Sequence, residues 1–356
     1  MTTNTSYRIL LLSDTHLGYD YPIRPRLQQR RRGPDFFANF RRVLDHARET
    51  RPDFAVHCGD LFFRARVPQP IVDMVYQDLL EFAAEGIPLL IVPGNHERSV
   101  LPTSLFLNHP NIHIFDRPRS FSFKIEDTNI TFSGFPCERK AVRDQFCSLV
   151  ARTDYHDLDA DIKLLCMHQT VEGAQVGPSD YTFRRGKDII RRSDLPKDAL
   201  GVLCGHIHRL QVLGQLDKGM DGLPPVIYPG STERTSFAER AEPKGFSEIE
   251  FAPRAEAKWE ISRLNFIELP ARPMEDLILE GDITPEILEA AIRSQIAYLD
   301  QDAIVWINAS PDLTPKVKAL ITSRFLRQVL PDSMNFQFGQ NLRAWRNEAA
   351  GSDEDA

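Results

Sequence analysis

Arg8-Ile9-Leu10-Leu11-Leu12-Ser13-Asp14-Thr15-His16 is a short apolar run that ends on a carboxylate and an imidazole. The run reads as a buried strand. Asp14 and His16 stand two residues apart just past its end, and in extended chain such side chains share a face. Four later stretches repeat the arrangement. Asp53–His57 leads into Gly59-Asp60, Leu89–Val92 into Gly94-Asn95-His96-Glu97, Ile162–Met167 into His168, and Val202–Cys204 into Gly205-His206-Ile207-His208. Each apolar run hands over to a hard or borderline metal donor.

Asp14, His16, Asp60, Asn95, His168, His206 and His208 together supply two carboxylates, four imidazoles and one amide oxygen. Mixed oxygen and nitrogen donors without thiolate suit Mn2+, with Zn2+, Fe2+ and Co2+ as further candidates. Two divalent cations on these groups carry a formal charge of about +2, which attracts a phosphate ester and stabilises the extra charge of its transition state. Gly59 lets the backbone approach the cations, and the single carboxylate of Asp60 can bridge both. Taken singly, an Asp-x-His pair or a histidine after a strand is ordinary packing or surface. All five stretches in this order, each at a strand end, read as a two-metal site. His46, His57, His109, His113 and His156 lack that context and read as structural or surface residues, with His57 close enough to Asp60 to support it.

Around these runs the chain alternates. From Pro34, residues Phe36, Phe37, Phe40, Val43, Leu44 and Ala47 recur at helical spacing, as do the apolar positions of Ile71–Phe82. Strands joined by such helices pair in parallel. Short strands then follow one another from Ile112 to Leu264. Residues 1–265 therefore read as an α/β domain, a two-sheet β-sandwich flanked by helices in four layers. Residues 266–342 read as a small α+β domain with strands at Leu277–Leu279, Ile304–Asn308 and Met334–Phe338. Its helices run from Pro285 to about Tyr298 and from Pro315 to about Val329, each proline looking like a first-turn residue after a Thr cap. Residues 343–356 are polar and acidic and read as a disordered tail.

The formal charge of −7 argues by itself against a nucleic-acid partner. Site carboxylates and the tail Ser352–Asp355 contribute to it, so local clusters carry more information. Arg24, Arg26, Arg30, Arg31 and Arg32 crowd one segment, and Arg184 and Arg185 open a second that continues through Lys187, Arg191 and Arg192. Each follows a ligand stretch and is a candidate contact for a phosphate backbone. No apolar stretch approaches the ~20 residues of a membrane helix. Met1–Tyr7 has neither the basic flank nor the apolar core of a signal peptide, so a cytoplasmic protein is expected. Five cysteines without Cys-x-x-Cys spacing argue against a disulfide framework or a zinc ribbon. Cys58, Cys166 and Cys204 read as small core hydrophobes, with sulfur ligation by Cys58 or Cys204 as the minor alternative.

The order of the motifs resembles the calcineurin-like metallophosphoesterase superfamily. Ser13-Asp14-Thr15-His16-Leu17-Gly18, His57-Cys58-Gly59-Asp60-Leu61-Phe62 and Pro93-Gly94-Asn95-His96-Glu97 narrow the likeness to the Mre11/SbcD DNA-repair nucleases. So does Tyr228-Pro229-Gly230-Ser231-Thr232-Glu233-Arg234-Thr235-Ser236-Phe237, which carries no metal ligand and so discriminates among phosphoesterases. The likeness covers roughly residues 7–265, and by position the C-terminal unit corresponds to a capping domain. The resemblance implies one metal on Asp14, His16, Asp60 and His208 and another on Asp60, Asn95, His168 and His206. It implies His96 as the catalytic residue that acts on the leaving oxygen or positions the phosphate. It also implies Mn2+-dependent cleavage of DNA, exonucleolytic at duplex ends and endonucleolytic in single strands, a homodimer, and a Rad50/SbcC-type ATPase partner. Two departures bear on this. Phe63 stands where the family typically has a histidine, which affects the balance of the two activities. The chain ends soon after the capping unit and leaves little for ATPase-binding helices, as expected of a stand-alone branch.

A metal-dependent DNA nuclease is thus the leading reading. A phosphodiesterase or phosphatase for a small molecule, such as a cyclic nucleotide, would use the same metals but needs a narrow, capped pocket rather than an open groove. A DNA-end-binding scaffold would have no use for the full ligand set and His96.

Overall fold

Tyr7, Ile9 and Leu11 enter a core between two sheets while Leu10 and Leu12 are buried on the opposite side, so β1 (Tyr7–Leu12) is apolar on both faces. This is the pattern of a central strand with neighbours above and below. The computed structural model describes residues 6–21, 31–98, 100–102, 109–216, 222–254 and 258–351, the side chains of 346–351 excepted. After β1 come α1 (Gly33–Thr50), β2 (Phe54–His57), α2 (Gln69–Ala84), β3 (Leu89–Ile91) and β4 (Ile112–Ile114). Then follow β5 (Arg119–Ile125), β6 (Thr128–Gly134), α3 (Val142–Ala151) and β7 (Ile162–His168). Four two-residue strands lie in the excursion before β12 (Gly201–Gly205): β8 (Thr170–Val171), β9 (Gln175–Val176), β10 (Tyr181–Thr182) and β11 (Ile189–Ile190). β13 (Gln211–Leu213), β14 (Val226–Tyr228), β15 (Gly245–Arg254) and β16 (Lys258–Glu268) follow.

The first sheet has the order β16-β15-β1-β2-β3-β4 and the second β13-β14-β12-β7-β6-β5. In the first, β1 to β4 are parallel and β15 and β16 antiparallel. In the second, β14, β12, β7 and β6 are parallel and the two edge strands antiparallel. Phe54, Val56, Phe132, Leu164, Cys166, Leu203 and Ile249 fill the space between them. Each such side chain contributes about 1.5–3 kcal/mol on burial. The alternate residues Leu165, Met167, Val202, Cys204 and Tyr228 face a second core, closed by Phe146, Leu149 and Val150 of α3. Two mixed sheets flanked by helices are therefore the architecture. Helix α3 was not assigned from the sequence, although Val142, Phe146, Leu149 and Val150 have helical spacing.

The described residues divide into two compact units, one drawn from 1–19 and 33–270, the other from 20–32 and 271–356. β16 continues past the expected boundary at 265, because Phe266, Ile267 and Glu268 still pair with β15. The smaller unit contains a parallel sheet of β17 (Met274–Leu279), β18 (Ile304–Ala309) and β19 (Asn335–Phe338). Its helices are α4 (Leu288–Ile296), α5 (Pro315–Leu320), α6 (Ser323–Val329) and α7 (Gln340–Gly351), around a core that includes Leu277, Val305, Ile307, Leu326 and Leu342. Thr314 caps α5 by accepting from Val317 N, as expected, whereas α4 starts only at Leu288. Ile287 N donates to Thr284 O, so Pro285 lies in a turn ahead of the helix. Helix α7 runs through 343–351, where the sequence suggested a tail; buried Leu342 anchors its first turn. Residues 352–356 lie outside the described residues.

Candidate metal centre

The donors converge because their strands run the same way: β1, β2 and β3 are parallel neighbours in one sheet, β7 and β12 in the other. All five ligand stretches leave carboxyl ends, where open α/β sheets place their sites. Pairing continues beyond the strands, with Asp14 N donating to Gly59 O at 2.9 Å and His16 N to Asp60 O at 3.0 Å. There the backbone turns left-handed: φ is +53° at Asp14, +46° at His16, +54° at Asp60 and +89° at His206. Non-glycine residues held this way are strained by about 1–3 kcal/mol each and persist where the surroundings enforce them. Gly59, at φ +97°, has a second constraint, since a Cβ there would overlap Nδ1 of His168.

Asp60 lies in the middle. Its Oδ2 is 3.4 Å from Nε2 of His168 and 3.9 Å from Nε2 of His96, while Oδ1 accepts the His96 backbone N–H at 2.8 Å. Asp14 Oδ1 is 3.7 Å from Nε2 of His208 and 4.0 Å from Nε2 of His168. The Nε2 atoms of His16 and His208 stand 3.0 Å apart. Asn95 Oδ1 is 2.8 Å from Nδ1 of His206 and 3.0 Å from Nε2 of His168. All seven donors read from the sequence are thus in one place. Their closest groupings are Asp14 with His16 and His208, and Asp14 with Asp60 and His168; a third joins His16 and Asp60 to His96.

The outer partners aim the rings. Nδ1–H of His168 donates to Cys58 O at 2.7 Å, Nδ1–H of His96 to Phe63 O at 2.7 Å, and Nδ1–H of His208 to Glu239 Oε1 at 3.2 Å. Each of these bonds leaves Nε2 facing the centre, the usual support of a metal-bound histidine. Nδ1 of His16 is buried without a hydrogen-bond partner among the described residues. Burial opposes a charge on His168, but Asp60, with help from Asp14, raises it to about 9. A proton there stands where a cation would. Burial also works to raise Asp60, yet His168 first, then His16 and His96, hold it well below the usual carboxylate range. Burial, then the charge of His168, pushes His206 down to about 3. A buried carboxylate kept charged among imidazoles that point inward fits a pair of divalent cations.

Several residues that complete the site were not picked out from the sequence. Glu97 accepts from Phe62 N at 2.6 Å and Gly94 N at 2.8 Å, clamping two ligand loops together. Burial, then the charge of Asp60, raises its carboxyl to about 8. Glu239 bonds His208, takes the Thr235 hydroxyl at 2.7 Å and pairs with the buried Lys244 at 2.7 Å. Glu239 stands two residues beyond the Tyr228–Phe237 stretch, which was the available signal. That stretch braces the centre: Ser13 Oγ donates to Asp14 Oδ2 at 2.6 Å and to Gly230 O at 3.1 Å, and Ser13 bridges Ser231. His57, read as a support, contacts Thr15 Oγ1 at 2.9 Å and accepts from Gly59 N. Cys58 and Cys204 belong to the two cores, and burial raises both thiols.

The arginine clusters fare differently. Arg24, Arg26 and Arg30 lie outside the described residues. Arg31 is exposed and bonded to Asp20, and Arg32 is buried. Arg184 and Arg185 are exposed on the excursion that follows β7.

The calcineurin-like phosphoesterase family model matches residues 7–210. Among curated relatives, the DNA double-strand break repair protein Mre11 of Haloferax volcanii is 28% identical over 84% of this chain and 60% of its own length. Its counterpart in Halobacterium salinarum is 29% identical over 86% of this chain and 71% of its own. The SbcD component of the nuclease SbcCD of Bacillus subtilis is 25% identical over 71% of this chain and 68% of its own. The chain spans 51% to 62% of the length of several Mre11 relatives. No described helix is long and apolar enough to cross a membrane. With more than half of its length matched, and the donors of a metal-dependent phosphoesterase gathered within that span, the chain belongs to the calcineurin-like phosphoesterase family.

Proposed function

We propose that this protein is a two-metal DNA nuclease that hydrolyses phosphodiester bonds, at duplex ends and within single strands, with Mn2+ as the working metal. Asp14, His16, Asp60 and His208 would hold one cation and Asp60, Asn95, His168 and His206 the other. When bound, the cations supply Lewis-acid polarisation of the phosphate. His96 sits on the rim with its side chain 36% exposed, and its bond to Phe63 O directs Nε2 inward. From there Nε2 would pass a proton to the oxygen that departs as water adds to the phosphorus. The Phe63 ring stands beside His96 and edge-on to Tyr19 and His16, so an aromatic wall borders the place where a strand would lie.

One observation carries the choice of DNA. A match to an Mre11 protein over 84% of the chain necessarily spans Tyr228–Phe237, beyond the phosphoesterase match at 7–210. That same segment braces Asp14 and leads to the Glu239 that aims His208. By the same likeness we infer a homodimer, read by light scattering; co-purification decides between a Rad50/SbcC-type ATPase partner and the stand-alone branch.

The test is cleavage by purified protein with Mn2+ of linear duplex, of single-stranded circular DNA and of bis-p-nitrophenyl phosphate. Both DNAs should be cut, and hydrolysis of the small ester alone would reject the reading. His96→Ala should lower turnover by roughly 10²–10⁴-fold with metal content unchanged; undiminished turnover removes His96 from the mechanism.

A further inference from the structure

A groove in the larger unit lies outside both the ligand set and the arginine clusters read from the sequence. It separates the β4–β5 connection from the β6–α3 connection and encloses about 450 Å³. Arg117, Arg139, Lys140 and Arg152 line it against only two carboxylates, Asp116 and Glu138. The local excess of positive charge stands out in a chain of formal charge −7. The carboxylates are also engaged. Asp116 accepts from Arg117 at 3.2 Å and from Arg119 at 3.0 Å, and Glu138 Oε1 accepts the Lys140 backbone N–H at 3.0 Å. Arg139, Lys140 and Arg152 are exposed, and their side chains have no carboxylate partner among the described residues.

The groove adjoins the metal centre on two sides. Cys137 N donates to Pro93 O at 2.8 Å, two residues before the ligand Asn95. Gln169, next to the ligand His168, donates its side-chain N–H to Glu138 O at 3.1 Å. The walls are stiff, with Pro118 and Pro136 fixing φ on facing sides. Ala141, at φ +48°, turns the chain sharply between Lys140 and α3.

We propose that this groove is the track that one DNA strand follows to the metal centre, its phosphates paired with Arg139, Lys140 and Arg152; the inference rests on the nuclease reading above. Exposed cations beside a two-metal site bind backbone without reading bases, so affinity should depend on salt and not on sequence.

The experiment compares the His96→Ala protein, which retains its metals, with the same protein carrying Arg139→Ala, Lys140→Ala and Arg152→Ala. Binding of a labelled single-stranded oligonucleotide is titrated between about 50 and 200 mM salt. Each lost phosphate contact removes about 0.7 from the slope of log K against log salt on single strands, so the triple change should flatten it by about 2. Affinity at the lowest salt should fall at least tenfold, and Arg139→Lys with Arg152→Lys in place of the two alanine changes should recover most of it. With His96 in place, undiminished hydrolysis of the small ester by the triple variant checks that the centre is intact. An unchanged slope while the parent binds DNA overturns the groove and leaves the nuclease reading standing. A wild-type protein that hydrolyses the ester but neither binds nor cuts DNA overturns both.

Discussion

Glu239 touches the metal centre only through His208, yet its carboxylate aims that ring and is itself held low. Burial works to raise it, but the His208 hydrogen bond and charge, then Lys244, win. Glu239→Gln keeps an acceptor and removes the charge. Metal titration should show affinity down by about 10–100-fold, the range typical for loss of a ligand's outer partner. An unaltered isotherm would show that His208 is oriented without it. Gly59→Ala is harsher, because the new Cβ meets both the left-handed backbone and the His168 ring. That variant should bind less than the two equivalents of metal proposed for the wild type, read by elemental analysis. At this scale the ligands were legible because each closes an apolar run. Glu239 and Glu97 were not. Glu239 lies 31 residues from the ring it supports, and Glu97 acts through backbone N–H groups, a partnership that leaves no mark on residue type.

Helix caps give a cleaner test of the elements. Thr322 accepts from Phe325 N at 3.1 Å and starts α6 directly after α5 ends. Thr322→Ala should destabilise the smaller unit by about 1 kcal/mol in denaturant unfolding. The sequence suggested one continuous helix here, because the apolar spacing runs through the break; only Thr322 signals a restart. The same limit explains β8 to β11, whose two-residue strands are too short for a period to register. Long runs with a fixed period, such as β1 and α1, were read to within three residues. β4 carries a pH prediction. His113 packs on Phe121 and Phe123, each 5.1 Å away, and burial, then Arg119, lowers it. The unfolded chain therefore takes up this proton first, so stability should fall as pH drops through about 6.5. His113→Gln should flatten that acid limb in melts of the metal-free protein.

For the whole molecule, two compact units that share no core predict two separable unfolding events. The sandwich holds the core between its sheets and the one under α3, and the smaller unit is built around Leu277, Val305 and Leu326. Calorimetry should show metal raising only the larger transition, by about 2.7 kcal/mol for each bound ion at a hundredfold excess over its Kd. A single transition that shifts as one would mean that the units are energetically fused. The four-layer architecture was legible from the alternation of apolar runs. The extent of β16 and the helix through 343–351 were not: Asn265 interrupts the apolar run of the strand ahead of Phe266 and Ile267, and the helix carries mostly polar residues there.

His168 reaches from the second sheet to Cys58 O of the first, and Asp14 reaches back to the His206 N–H. The centre is therefore also a rivet between the two sheets. Cations bound there fasten one rim of the sandwich, so breathing of the two layers should begin at the opposite rim and arrive at the ligands last. A phosphoesterase built this way would stay rigid at the bond it cuts while the rest of its body flexes.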